Sequence, residues 1–298
     1  MSSIAYVADE SMLEYHRLCR NRDILFWRLS GKKFADFRKG DLLFFFAKPR
    51  TGRKKAFIGY AHFDSIVRLS LKQMWSRYGQ KTGYDSEALL HEAIEKAAKG
   101  SPIPKQMSCL WLKDVVFFVS PIYPEEAGLE ILNNLESYCY LDKADPSTTV
   151  RILKIAEKNG IDLWSSDDSA HPEIIFSNDE TRHEIALIHK DFGKAGYSER
   201  EFSKARRLAR EKCENENWEM VRESTTDLLR IEDGMITIAL PFVCQPSDRD
   251  LRIRDTAGRM AVYSMKIREQ LHKDVSFEIF GENVPDTLSE LTEYMNHE

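Results

Sequence analysis

The 298-residue chain carries 42% hydrophobic and 31% charged residues, the balance of a soluble globular protein with a sizeable core. No apolar run approaches the roughly 20 residues of a membrane-spanning helix, which excludes an integral helical membrane protein as the expected class. Net charge is −5, yet residues 1–82 hold 17 Lys and Arg against 7 Asp and Glu, so a local +10 is set against −15 over the rest. That asymmetry points to an anionic partner for the N-terminal part. The first residues, Met1-Ser2-Ser3-Ile4-Ala5, lack a basic region and a long hydrophobic segment, so no secretory signal is expected. Cys19, Cys109, Cys139, Cys213 and Cys244 are scattered without metal-ligand spacing, the pattern of reduced thiols in a cytoplasmic protein, and no cofactor is expected.

In chain order, Ile4–Ala8 reads as a first strand, and Ser11 to Asn21 as a helix with Ser11 as N-cap and Glu14 completing a capping box. Asp23 to Arg28 begins the sheet region, and Leu42–Ala47 and Ala56–Phe63 are short apolar runs bounded by Gly and Pro, hence strands. Lys39-Gly40-Asp41 is a turn, and Gly59 within a strand marks a bulge or a close approach of backbone. Helices are expected at Ser70–Gly79 and Ser86–Lys99, each opened by a serine cap. Met107–Leu112 and Val115–Val119 read as two strands split by Lys113-Asp114, and Tyr138–Leu141 closes the apolar pattern.

The residues Trp27-Arg28, the basic Gly40-Asp41 turn, the strand after it and Ile58-Gly59-Tyr60-Ala61 resemble the EVE branch of the PUA-like barrels. The likeness continues through Trp75, Tyr78, Gly79, Gly83 and Tyr84 and covers roughly residues 4 to 142. It is similar to the EVE-like domains that head some HNH modification-dependent endonucleases. The resemblance implies a small β-barrel that holds one flipped, often modified nucleobase in an aromatic pocket, and a role in modification-dependent restriction or phage defence. The base-binding residues expected on it are Trp27, Ser30, Asp41, Trp75, Tyr78 and Tyr84. Arg28, Lys32, Lys33, Arg50, Arg53, Lys54 and Lys55, basic and on loops, are expected to track phosphates. Modified DNA is the favoured partner, with RNA or tRNA as the alternative that PUA-like barrels also allow.

The expected fold class is α+β: a PUA-like barrel with helices over 1–145, a helix and polar linker over 146–172, and a one-sheet α+β domain over 173–298, an effector or partner-binding module. In the last of these, helices are expected at Glu180–Phe192, Ser198–Asn215 and Arg249–His272, and strands at Trp218–Glu223, Leu228–Glu232, Met235–Val243 and Val275–Phe280. Asp233-Gly234 is a hairpin signal. This order can be laid over metal-dependent nucleases of the restriction-endonuclease type, with Asp227 and Glu232 as candidate acids. Met235–Ala239 offers no Glu-X-Lys, so no catalytic residue is assigned. His183 and His189 read as satisfied helix histidines, and Lys204, Arg206, Arg207, Arg210 and Lys212 as a solvated stripe faintly resembling a helix-turn-helix element.

Overall fold

A computed structural model of the chain describes residues 3–31, 33–50, 52, 54–162, 164, 172–192 and 195–297. The fold is mixed α and β, in two compact units, Ser2–Phe176 and Ser177–Glu298.

In the first unit the long strand β4 (Ala56–Leu69) pairs antiparallel with the still longer β5 (Met107–Ile122), and this ladder is the frame for everything else. On one side lies β2 (Ile24–Phe26); on the other lie β3 (Leu42–Ala47), β1 (Ile4–Val7) and β6 (Tyr138–Tyr140). The order is β2-β5-β4-β3-β1-β6, with β1 parallel to β3 and the other pairs antiparallel. Among the described residues no pairing joins β2 to β6, so the expected closed barrel is corrected to an open six-stranded sheet. Expected strands 107–112 and 115–119 are one element: Asp114 takes φ +50° and the register against β4 shifts, so the ladder bulges and continues. Gly59 is part of the same irregularity, for a Cβ there would collide with the Val116 carbonyl oxygen and come within 3.1 Å of Phe117 Cα.

One face of the sheet buries Ile4, Leu13, Phe26, Phe45, Phe63, Leu112 and Phe117. The other is covered by α2 (Leu71–Tyr78) and α3 (Glu87–Ala98), which bring Met74, Leu90 and Ile94 onto Leu25, Leu69 and Met107. Ser70 caps α2 and Ser86 accepts from Leu89 N at the start of α3, both as expected, and Gln73 completes a capping box on α2. Helix α1 (Glu10–Leu18) differs: Asp9, not Ser11, is the cap, its Oδ1 accepting from Met12 N at 3.2 Å and from the Ser11 hydroxyl. A carboxylate accepts the helix N–H and also complements the dipole, so it outcompetes the hydroxyl two residues on. Helix α4 (Thr148–Asn159) follows β6, and Phe176, at the unit's end, packs its ring 6.1 Å from Tyr60 and 6.2 Å from Phe118.

The helix α5 (Pro172–Phe192) runs past the end of the first unit. The second unit then builds α6 (Glu199–Asn215), β7 (Glu219–Met220), β8 (Leu228–Glu232), β9 (Met235–Phe242), α7 (Arg249–Leu271), β10 (Val275–Gly281) and α8 (Asp286–His297). Its sheet has the order β10-β9-β8-β7, an antiparallel meander to which α7 adds β10 parallel to β9. Asp233 and Gly234 both take positive φ in the expected hairpin. The amphipathic α8 is an addition to the expected elements; its Asn296 side chain bonds both N and O of Phe277 on the outer strand.

Behind this sheet sits a buried polar cluster. Asp227 is 0% exposed; its Oδ2 accepts from Arg259 and, at 3.1 Å, from the Tyr263 hydroxyl, while its Oδ1 accepts from Thr226 at 3.0 Å. Tyr263 has one proton and donates it to Asp227, so it can accept from His189 Nδ1 at 2.9 Å. Burial alone would push the Asp227 carboxyl up, but the Arg259 guanidinium and His189 hold it well below the usual carboxylate range.

Two outcomes follow from this packing. Gly59→Ala forces β4 away from β5 and should lower stability by about 1–3 kcal/mol, read as an earlier urea midpoint. Asp227→Asn leaves the Arg259 charge buried without its counter-ion and should cost about 3–5 kcal/mol. Because the folded carboxyl titrates below its unfolded value of about 3.9, its contribution is complete above that pH and is lost as pH falls beneath it. The wild-type advantage over the Asn variant should therefore shrink below about pH 4 in chemical unfolding followed by circular dichroism.

Candidate nucleic-acid interface

The first unit holds a cleft of about 510 Å³ between α1, the end of β2, and α3. The β1–α1 junction supplies Asp9, α1 supplies Ser11 and Tyr15, and Trp27 follows β2. The turn before α3 supplies Gly83, Tyr84 and Asp85, and α3 itself adds Leu89, Glu92, Ala93, Lys96 and Ala97. Such a volume lies in the range of small-molecule pockets and exceeds one nucleobase.

Gly83 fixes the turn. It takes φ +91°, and a Cβ there would collide with Met12 Cγ and sit 2.9 Å from His16 Nε2. The turn therefore lies directly on α1. His16 Nδ1 lies 3.1 Å from the Asn21 amide, whose nitrogen donates to it and to the Gln80 carbonyl at 3.4 Å, so α1 and the turn are tied together. His16 is fully buried and burial lowers its pKa to about 3, which keeps the ring neutral. Thr82 adds a hydroxyl bond to Gly79 O at 2.7 Å.

On the cleft wall, the Tyr15 hydroxyl donates to Asp85 Oδ1 at 2.8 Å; burial, helped by that carboxylate, raises its pKa and keeps the proton in place. Tyr84 is half-buried, and burial with the nearby Asp9 charge raises its pKa too. Trp27 is half-buried between the two apolar clusters, and its Nε1 is buried with no hydrogen-bond partner among the described residues. A buried indole N–H without a partner is costly unless something else accepts from it.

Of the residues expected to bind a base, Trp27 and Tyr84 come together in this cleft. Trp75 and Tyr78 pack instead against the α2–α3 cluster, Tyr78 with its ring 5.1 Å from Trp111. Asp41 is 2% exposed and accepts from Arg38 N at 2.5 Å, so it holds its turn, and Ser30 is half-buried outside the cleft. Asp9, Tyr15, Asp85, Glu92 and Lys96 are cleft residues that sequence reasoning missed. The one local signal is Asp85 directly after the aromatic Tyr84; Asp9 stands ahead of a helix whose cap the sequence places at Ser11.

The expected phosphate contacts are thinner than the charge count implies. Lys33 and Arg50 are exposed, and Lys32 and Arg53 lie outside the described residues. Lys54 Nζ pairs with Glu125 at 2.8 Å, and Lys55 Nζ donates to the Leu135 carbonyl. Arg28 is 4% exposed, its guanidinium 4.4 Å from the centre of the Phe34 ring, so it lies inside the fold and not on a loop surface.

In the second unit, the acids considered for a nuclease do not form a site. Asp227 is enclosed by Arg259 and Tyr263, whereas Glu232 is exposed beside Arg230 at 3.6 Å. They stand at opposite ends of β8, roughly 16 Å apart along a strand of that length, too far to share one ion. Among the described residues no group of three or more His, Cys, Asp or Glu is placed to hold a metal. The basic stripe on α6 is largely paired, Lys204 with Glu282 at 2.7 Å and Lys212 with Glu216 and Glu278 at 2.8 Å. No described helix is long and apolar enough to cross a membrane.

No protein-family model matches the chain, and no curated protein matches it. Among solved structures, the crystal structure of ASCH from Zymomonas mobilis is similar to it at 18% identity and a TM-score of 0.37, covering 51% of this chain and 94% of that one. Two point mutants of the same protein align equally, at 18% and 16% identity and a TM-score of 0.37, covering 52% and 51% of this chain and 99% and 95% of theirs. At that level of likeness the alignment assigns neither family nor activity, and the cleft's own chemistry has to carry the functional reading.

Proposed function

We propose that the chain is a nucleic-acid-binding protein that takes one nucleobase into the cleft lined by Trp27 and Tyr84. The observation that carries this is the meeting of Trp27 and Tyr84 in one concavity, two large aromatic side chains of the kind on which a planar base stacks. Stacking a base on such a ring contributes about 1–3 kcal/mol, comparable with the few kcal/mol that extrusion from a duplex costs. The remaining affinity would come from exposed cations such as Lys33 and Arg50, which contact phosphates without reading sequence. The volume beyond a plain base supports a modified base as the ligand, the form in which the protein would serve modification-dependent restriction or phage defence. The reading extends to the division of labour, with the base reader in the first unit and a partner-binding role for the second.

Trp27→Ala should weaken binding of a modified oligonucleotide by about 1–3 kcal/mol, or ten- to hundred-fold, with DNA and RNA versions titrated side by side. Since Trp27 also covers apolar core, Trp27→Phe is the companion variant: it keeps a stacking face and loses only the N–H. A folded Ala variant with undiminished affinity and preference would remove Trp27 from the site.

A further inference from the structure

We infer that the strand around the bound base runs over a basic ridge beside the cleft, built from Arg20, Arg22, Arg77 and Lys81 around the ring pair of Tyr78 and Trp111. The inference rests on the nucleobase reading of the cleft and adds where the phosphodiester backbone lies, a chemistry that DNA and RNA share.

Two chain segments meet to make the ridge. The turn after α1 carries Arg20 and Arg22, both exposed, on either side of Asn21. The Asn21 amide donates to the Gln80 carbonyl at 3.4 Å, so that turn lies against the short 3-10 turn after α2, where Lys81 is exposed. Arg77, exposed in the last turn of α2, makes no ion pair among the described residues. The same segment runs on into the cleft: Lys81 stands three residues before Tyr84, at most about 11 Å away along an extended chain.

The acids nearby leave a surplus of positive charge. Asp23 reaches Lys81 only at 3.8 Å and Asp114 reaches Arg22 only at 3.7 Å, and these four side chains are 39 to 60% exposed. Ion pairs that long and that wet contribute little, so phosphates can take the place of the carboxylates. Arg20 lies 4.8 Å from the centre of the Trp164 ring, a contact that leaves its charge in place.

Rings set this ridge apart from a plainly solvated basic face. Trp111 is half-buried, with the Tyr78 ring 5.1 Å from its own and the Lys81 Nζ 5.3 Å from its centre. Single-stranded nucleic acid is held by this combination, cations for the backbone and aromatic faces for the bases. An acidic peptide would satisfy the cations and leave the rings unused, so a nucleic-acid strand fits better.

The experiment is fluorescence anisotropy of the full chain with a labelled single-stranded DNA of about 12 nucleotides and its RNA counterpart, titrated at several salt concentrations. Each phosphate contact on a single strand adds about 0.7 to the slope of log K against log salt. The triple variant Arg22→Gln, Arg77→Gln, Lys81→Gln should therefore flatten the slope by about 2 on whichever strand binds tighter, with at least about a tenfold loss of affinity at low salt. Its preference for a modified base should stay, since phosphate contacts read no sequence. All three positions are exposed, so the variant should keep its fold. The control Arg206→Gln, Arg207→Gln, Arg210→Gln removes the same charge from α6 in the second unit and should leave the slope unchanged. Equal slopes for the wild type and the ridge variant, or equal flattening in both variants, overturns the inference and leaves the nucleobase reading standing. Displacement of the strand by polyglutamate at equal charge concentration overturns it in favour of an acidic protein. Failure of the wild-type chain to bind either strand at low salt removes both.

Discussion

A side chain at position 83 would strike Met12 and His16, so the turn that ends in Tyr84 and Asp85 can lie on α1 only because Gly83 carries none. That close approach sets the geometry of the whole cleft. It puts Tyr84 and Asp85 within one concavity with Tyr15, Asp9 and Trp27, which come from 57 or more residues earlier in the case of Trp27. The neutral, buried His16 ring and the Asn21 amide lock the contact from beneath. A charged imidazole there would have to be desolvated without a counter-ion, and the strong downward shift of its pKa reflects that penalty.

The second unit depends on a different kind of constraint. Its interior holds a carboxylate, a guanidinium, a phenol and an imidazole in mutual contact, and each charge is tolerable only because the others are present. Asp227 is thus committed to Arg259 and Tyr263, and the same position that looks like a nuclease acid in the sequence is a structural ion pair in the fold. The first unit keeps its spare polar atoms on a cleft, while this cluster spends its own on one another.

Local signals carried much of the fold. The serine caps of α2 and α3, the Asp233-Gly234 hairpin and the elements α7 and β10 follow from caps, turn residues and periodicity that act within a few positions. What sequence missed was non-local. Lys113-Asp114 looks like a break between strands, but the cross-strand bonds to β4 carry the chain through it. The apparent basic footprint was a count of charges without partners, and Glu125 and Leu135, which engage Lys54 and Lys55, lie more than 70 residues away. Trp75 and Tyr78 have the same composition cues as Trp27 and Tyr84; only the packing against Trp111 and α3 tells them apart. Asp9 was hidden because the cap of α1 reads as Ser11 in the sequence, whereas Asp9 holds that role in the fold.

The most direct test of the nucleobase cleft is the NMR signal of the Trp27 indole N–H, identified in a 15N-labelled protein by its loss in Trp27→Phe. Trp27 lines the cleft, so its signal should shift in a saturable way as an oligonucleotide is added, and with the same midpoint as binding. If the oligonucleotide binds while the Trp27 signal stays still and those of Trp75 or Trp111 shift instead, the base lies elsewhere and the cleft assignment is contradicted.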